Sequence, residues 1–310
     1  MTTTVLQRYD TRAWLLFAAM ALLWGVPYLF IKVAVDSYSP AAIVCARTLV
    51  GALLLLPFAL RNNALRPALA KWPWVLAFAA IEIAGPFLLL GHAEQTLPSG
   101  LTGLLVATVP LFAAVIAFAR GDRASLKPAR IVGLVIGFLG VAIIVIGPGL
   151  GVDGGVGLIA IGEVLLVAIC YAIAPFIVAR RLGAVPALGT VTLSLAVVGI
   201  VYLPIAVATQ HTVPTIEATV SVVLLGVLCT AVAFITFFAL IARVGPVRAP
   251  LFTYVNPVVA IVLGVLILGE ELTPALLVGF PIVLAGCWLA ATGGLRMRRP
   301  PDGVPPIAPG

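Results

Sequence analysis

Charge is what this sequence has least of. Asp, Glu, Lys and Arg make up 9% of its 310 residues, against about 25% in an ordinary soluble domain. Histidine occurs only twice. His92 and His211 both fall at the outer ends of apolar stretches, so they offer no His–Glu ligand set for a membrane-embedded enzyme. No glycine-rich loop ending in Lys-Ser/Thr is present, so nothing points to direct use of ATP. The four cysteines (Cys45, Cys170, Cys229 and Cys287) lie inside apolar runs without metal spacing. They read as small apolar residues, with no disulfide implied. No polar stretch is long enough for a soluble domain. The expected cofactor set, metals included, is empty.

What the chain has in abundance is apolar surface. It is 63% hydrophobic, with a mean hydropathy of +1.23. A soluble fold of this size could not hide that much, so lipid must be its main solvent. A helix needs about 20 apolar residues to cross the hydrocarbon core. Because lipid forces every backbone polar group to pair internally, helices are the natural spanning unit. The runs are too continuously apolar for barrel strands, which alternate. Ten spans are expected, near 13–35, 40–60, 72–92, 99–119, 130–148, 155–179, 184–208, 217–242, 247–268 and 273–295. The first is too long for a signal-peptide core and is followed at once by another, so it reads as retained. The Pro-rich end, 297–310, reads as a disordered cytoplasmic tail.

The few charges are sorted. Cations occupy the N-terminus (Arg8, Arg12) and every second loop: Arg61, Arg66 and Lys71; Arg120, Arg123, Lys127 and Arg130; Arg180 and Arg181; Arg243 and Arg248. Arg296, Arg298 and Arg299 follow the last span. The alternate loops hold Asp36, Glu94, Asp153, Glu217, Glu270 and Glu271. Since basic loops stay cytoplasmic, both termini should lie inside. The net charge of +7 then reflects topology and gives no argument for nucleic acid.

The chain also repeats. Pro27 and Lys32 recur as Pro175 and Arg180, Pro40 as Pro186, Pro110 as Pro257, and Pro128 as Pro274. Gly133 and Gly140 recur as Gly279 and Gly286. Each pair is 146 to 148 positions apart. The expected fold is therefore all-α and polytopic, with a five-span repeat in 1–150 and a second in 151–296. Five is odd, so the second copy enters the membrane inverted. The basic turn "GDRASLKP" then faces the cytoplasm, and its counterpart "GEELTP" faces out without cations. Inverted repeats place a site near the midplane at their interface and alternate its access.

Two stretches resemble a known family. "LLWGVPYLFIKVAV" is similar to the Trp-Gly…Lys opening of EamA-type transporters of the drug/metabolite transporter superfamily. "ALIARVGPVRAPLFTYVNPVVAIVLGVLILGEELTPALLVGFPIVLAG" resembles the end of that family's repeat, with a mid-helix Pro and a Gly-Glu before the last helix. The likeness covers nearly the whole chain and is strongest over 222–290. The first repeat departs from it at Asp122, where the family often has Glu. The resemblance implies export or exchange of small metabolites, often amino acids, across a bacterial inner membrane. It also implies that spans five and ten pack structurally while the others line the path.

Charges inside spans are costly, at least about 2.5–3.5 kcal/mol each on insertion scales. Four stand out: Lys32, Arg47, Glu82 and Glu163. At 1.5 Å per residue they lie roughly 5, 10, 15 and 11 Å below the outer face. They should point into a polar cavity and toward one another. Arg47 and Glu82 could form a fixed ion pair that orients helices. Arg47 could instead bind a substrate carboxylate in bidentate fashion. Burial favours the neutral form of a carboxyl and a nearby cation the charged form. Glu163 has no cation at its own depth in its own repeat, so it is the better proton carrier, with Glu82 second. The repeat counterpart of Arg47 falls at Leu193, and that of Glu82 near Cys229 or Thr230. None of these counterparts is charged, so the ion cluster belongs to one orientation only.

Trp24, Tyr28, Tyr171, Tyr254 and Asn256 are mid-span and are candidate cavity walls, ordinary packing being the plainer alternative. Trp14, Trp72 and Trp74 lie at inner span ends as interfacial anchors. Pro110 and Pro257 occupy equivalent mid-span positions and suit helices that bend in gating. Gly133, Gly137 and Gly140, echoed by Gly279 and Gly286, give small faces for close helix contact.

These observations point to a multi-pass inner-membrane secondary transporter. It would export small metabolites by alternating access, with proton coupling through Glu163 or Glu82. A single chain is the expected working unit, with a small-molecule substrate and membrane lipid as its partners. A channel or uniporter is the alternative, and an embedded enzyme the remoter one.

Overall fold

The computed structural model describes residues 11–121, 128–146, 154–245 and 249–292. The segments carrying Arg8, Asp122, Arg123, Lys127, Asp153, Arg248, Arg296, Arg298, Arg299 and the 297–310 tail lie outside the described residues. Among the described residues the chain is all helix, with no strand. Ten helical stretches are long and apolar enough to cross a membrane: Thr11–Ala34, Pro40–Arg61, Trp72–Ala93, Ser99–Ala119, Pro128–Ile146, Val156–Leu182, Ala187–Thr209, Ile216–Val244, Ala249–Leu268 and Pro274–Thr292. They are called spans 1 to 10 below. Large apolar side chains such as Leu53, Val207 and Leu266 stay exposed on the outside of the bundle. In water that surface would be a liability; against lipid tails it costs nothing. The chain is a multi-pass membrane protein.

Several spans are interrupted, and proline or a local π turn marks each place. Span 1 breaks between Leu23 and Pro27. Span 4 breaks after Val106 and restarts at Val109, with Pro110 in the first turn of the new helix. Span 9 begins as a 3₁₀ turn, Ala249–Tyr254, and becomes α-helical at Asn256 with Pro257 in its first turn. A proline has no N–H to offer the preceding turn and clashes with it, so these helices restart at the proline. Spans 3 and 8 each contain a π-helical segment, Ala79–Ala84 and Val227–Val232. Such segments often sit at functional sites because they free backbone groups and re-aim side chains.

Packing pairs the spans across the bundle. Span 2 lies on span 7, span 5 on span 10 and span 4 on span 9, while span 1 packs on span 8 and span 6 on span 3. The contact between spans 5 and 10 is made by glycine. A Cβ on Gly133 would run into the backbone of Ala290, and one on Gly286 into the backbone of Gly137. Only hydrogen at these positions lets the two backbones approach so closely. Gly51 does the same between spans 2 and 8, where a Cβ would stand 2.6 Å from Thr230 Cγ2. That approach brings Arg47, one turn earlier, next to the π segment of span 8.

Candidate functional site

A cavity of about 450 Å³ lies in the middle of the bundle. Its wall includes Trp24, Tyr28, Arg47, Glu82, Tyr171, Tyr254 and Asn256, together with Pro110 and Pro257. The wall runs from Arg47, Glu82 and Phe87 toward the end of the bundle that carries Thr11, where the exposed Pro250 and Leu251 contribute to it.

Arg47 is buried, with 6% of its surface exposed. Its Nε donates to Thr230 Oγ1 at 3.1 Å. Thr230 sits in the π segment of span 8, and its hydroxyl donates to the Leu225 carbonyl five residues back, at 2.9 Å. With its proton so directed, the Thr230 oxygen presents a lone pair to Arg47. The guanidinium also lies over the Phe87 ring, 3.8 Å from its centroid, a favourable cation–π arrangement. A guanidinium has five N–H donors. Among the described residues Arg47 makes only this one hydrogen bond and no ion pair. It is held by its Nε and its flat face, and its remaining donors line the cavity.

Glu82 lies in the π segment of span 3, half-buried on the cavity wall. No ion pair joins it to Arg47 among the described residues. The reason is steric direction: Thr230 and Phe87 turn the arginine toward span 8. Glu82 has no hydrogen-bonding protein partner among the described residues either. One cavity therefore holds an arginine and a carboxylate that are both uncompensated.

The rest of the wall mixes six aromatic side chains, Trp24, Tyr28, Phe87, Tyr171, Phe234 and Tyr254, with aliphatic ones. Trp24 packs against Phe237, Phe252 and Phe234 with ring centroids 5.1, 5.4 and 5.8 Å away. Tyr254 donates to the Cys287 carbonyl at 3.4 Å. Asn256, with its amide nitrogen turned toward acceptors, donates to the Phe252 and Ala21 carbonyls, 3.2 Å each. It thus ties the restart of span 9 to span 1 just before that helix breaks. Its amide nitrogen is engaged in structure, although the side chain borders the cavity.

The structure separates two of the four intramembrane charges from the others. Lys32 is not on the cavity wall: its Nζ donates to the carbonyls of Glu94 and Leu97, at 2.7 and 3.0 Å, where span 3 ends. The free carbonyls at a helix C-terminus attract a cation. Glu163 pairs with His92, Oε2 to Nδ1 at 2.9 Å, on an open side of the bundle where His92 is 58% exposed. Spacing alone does not reveal this partner, because His92 lies on another span.

The end of the bundle opposite Thr11 is closed. Leu97, Leu101, Ile31 and Ala93 are buried there. Glu270 accepts hydrogen bonds from the Ser99 and Gly100 amides, at 2.6 and 3.0 Å, at the start of span 4. Those amides have no partner within their own helix, and a carboxylate suits the positive end of the dipole. Glu270 reaches them because Gly269 takes a left-handed conformation, φ +68°, and reverses the chain. Sequence reading placed Glu94 and Glu270 only as loop acids. For Glu94 the available signal is an acid one residue beyond a span end, with Pro-Ser-Gly close behind it.

A model of the EamA-like transporter family matches residues 11–146 and again 158–292. The chain belongs to the EamA-like transporter family. Several relatives match it over nearly its full length. The uncharacterized transporter YvbV of Bacillus subtilis (strain 168) is 30% identical, covering 95% of this chain and 96% of its own. The uncharacterized inner membrane transporter YedA of Escherichia coli (strain K12) is 27% identical over 93% and 94%. A probable terminal-alkyne amino-acid exporter of Streptantibioticus cattleyicolor is 27% identical over 89% and 92%. A solved crystal structure is also similar, with a TM-score of 0.64 and 22% identity over 90% of this chain and 96% of that one; this likeness speaks to the fold alone. Membership of the EamA-like family makes the chain a transporter of the drug/metabolite type, as the two quoted stretches implied. Its named relatives are transporters, which are generally not enzymes.

Proposed function

We propose that this protein is a secondary transporter that exports amino acids, or closely similar small zwitterions, by alternating access. The observation that carries the reading is the presence of Arg47 and Glu82, neither with an ion-pair partner among the described residues, on the wall of one cavity that also holds six aromatic side chains. Arg47 would take the substrate carboxylate through its free N–H fork. Glu82 would face the substrate ammonium, or carry a proton in its place. Trp24, Tyr28, Phe87 and Tyr171 would receive an apolar side chain. The relative named as a probable amino-acid exporter agrees with this substrate class.

Alternating access is supported by the repeated breaks. The π segments of spans 3 and 8, and the prolines that restart spans 4 and 9, occupy equivalent places in the two repeats. The packing of span 1 on 8 is matched by that of span 6 on 3, as an inverted pair related by a two-fold axis would require. Charge sorting supports a cytoplasmic Thr11 end. The cavity then reaches toward the cytoplasm while the outer end is closed, the state in which an exporter loads. A shut outer end also favours a carrier over a pore. A bacterial inner membrane is the proposed site, with the single chain as the working unit and no enzymatic step. Pro110 and Pro257 are the proposed bending points. Of the carboxylates first considered for coupling, Glu82 borders the substrate space and Glu163 does not.

Counterflow of labelled amino acids in proteoliposomes tests the proposal. A carrier should show transient accumulation of label driven by unlabelled substrate inside. A chain that leaks label without counterflow would be a pore. One that shows neither with any amino acid would sink the assigned substrate class.

A further inference from the structure

At the closed end one carboxyl is buried with nothing to receive it. Glu94 follows directly on span 3 and is 0% exposed. Neither of its carboxyl oxygens has a hydrogen-bond partner among the described residues. The cation that acts on it most strongly, Lys32, is directed elsewhere, onto the backbone carbonyls of Glu94 and Leu97. Glu270, a second carboxylate within its electrostatic reach, is engaged by the Ser99 and Gly100 amides. Arg47 and Tyr28, deeper in the bundle, are the other titratable groups that feel it. Glu94 is not on the cavity wall, so the amino-acid site leaves it without a role.

Its place in the closure is specific. Lys32 from span 1 holds the carbonyls of Glu94 and Leu97, and Glu270 from the turn between spans 9 and 10 holds the amides of Ser99 and Gly100. One latch grips the short segment between spans 3 and 4 that Glu94 begins, and the other grips the first two residues of span 4. A buried carboxylate without a donor is strongly disfavoured, and such a group neutralises itself by taking a proton. We propose that Glu94 is the proton-binding site of this gate, protonated while the gate is shut and ionised when the gate opens to water.

The direction of the pH effect follows. Burial pushes the Glu94 carboxyl well above the ordinary carboxylate range; Lys32 lowers it, Glu270 raises it and Arg47 lowers it. The shut state therefore holds the proton more tightly than the open one. Below the ordinary carboxylate range both states are protonated, and closure is fully favoured. Above that range opening releases the proton, so each pH unit favours the open gate by up to about 10-fold until the raised closed-state value is passed. Closure is strongest in acid and weakens as pH rises. Sodium is a poorer occupant, because it needs several oxygen ligands and the Glu94 oxygens have no polar partner among the described residues.

The inference rests on the transporter reading, yet its test needs no substrate. Leu97→Cys places a thiol within the gate, at a position that is 0% exposed. In purified protein its modification rate by a bulky polar maleimide is measured against pH. Val213→Cys, at a position 92% exposed on the same end, supplies the correction for thiolate fraction. The corrected rate should rise at least about 10-fold between roughly pH 6 and 8.5. Glu94→Gln and Glu94→Leu should both leave the thiol protected at every pH, with thermal midpoints equal to the parent or higher. Three results would overturn the proposal: a flat profile in the parent, an unchanged profile in Glu94→Gln, or protection that follows sodium at constant pH. Failure of both variants to fold would overturn it as well, since a neutral site tolerates a neutral side chain. Failure of the amino-acid counterflow alone would leave this result standing.

Discussion

Replacing Arg47 by glutamine removes the charge and leaves one neutral amide arm in its place. For a carboxylate about 4 Å away, the Coulomb energy is about 4 kcal/mol at an effective dielectric of 20. Part of that is offset by stripping water from the substrate. Truncating one partner of a buried, hydrogen-bonded charge pair costs about 2–5 kcal/mol. Glutamine keeps a donor, so the lower part of that range applies: about 2–3 kcal/mol, or roughly 30- to 150-fold in Kd. The informative assay compares three ligands of one side chain: the amino acid, the amine lacking its carboxyl, and the acid lacking its amine. Competition against labelled amino acid in counterflow reads all three. Arg47→Gln should weaken the amino acid and the acid while leaving the amine within a few-fold. Glu82→Gln should weaken the amino acid and the amine and leave the acid. If Arg47→Gln moves all three alike, or none, the arginine does not bind a substrate carboxylate and the assigned substrate class falls with it.

Much of this architecture was legible because lipid simplifies the code. A span must be long and apolar, and its flanking cations sort by side, so ten spans could be placed within a few residues of their observed bounds. The cavity wall was legible for a related reason. Trp24, Tyr28, Arg47, Glu82, Tyr171, Tyr254 and Asn256 are the polar and aromatic exceptions on apolar helices, and such groups turn inward. Partners were harder to foresee. Arg47 lies on Thr230 and Phe87, and Glu163 on His92, because helix rotation decides which residue meets which, and rotation leaves little trace in spacing. Lys32 departs from the expected cavity for another reason. A cation near a span end has a competing partner, the free carbonyls of a neighbouring helix end, and these carry no sequence signature. Glu94 lies one residue outside a span, where position alone marks a loop acid; its full burial is a property of the folded turn that spacing does not encode.

Three further outcomes are expected. A cysteine replacing Glu271 should react with an impermeant thiol reagent added outside cells, and one replacing Arg66, exposed at the other end, should not; equal labelling of both would refute the inverted arrangement. Gly286→Ala puts a methyl against the Gly137 backbone between spans 10 and 5. Two backbones in contact cannot yield as a side chain can, so overpacking should cost about 1–3 kcal/mol and lower the thermal midpoint in detergent without changing ligand selectivity. The last outcome concerns Glu163. Its carboxylate pairs with an imidazole that is 58% exposed, away from the cavity wall. An exposed pair is worth at most about 1 kcal/mol, so Glu163→Gln should alter stability little. It should also leave uphill transport driven by a pH gradient intact, because the pair lies off the cavity wall and meets the same surroundings whichever way the cavity faces. A group that equilibrates with the same solution in both states cannot link proton movement to substrate movement. Retained exchange with lost accumulation in Glu163→Gln would show that the pair with His92 changes as the carrier turns, and would return the coupling role to Glu163.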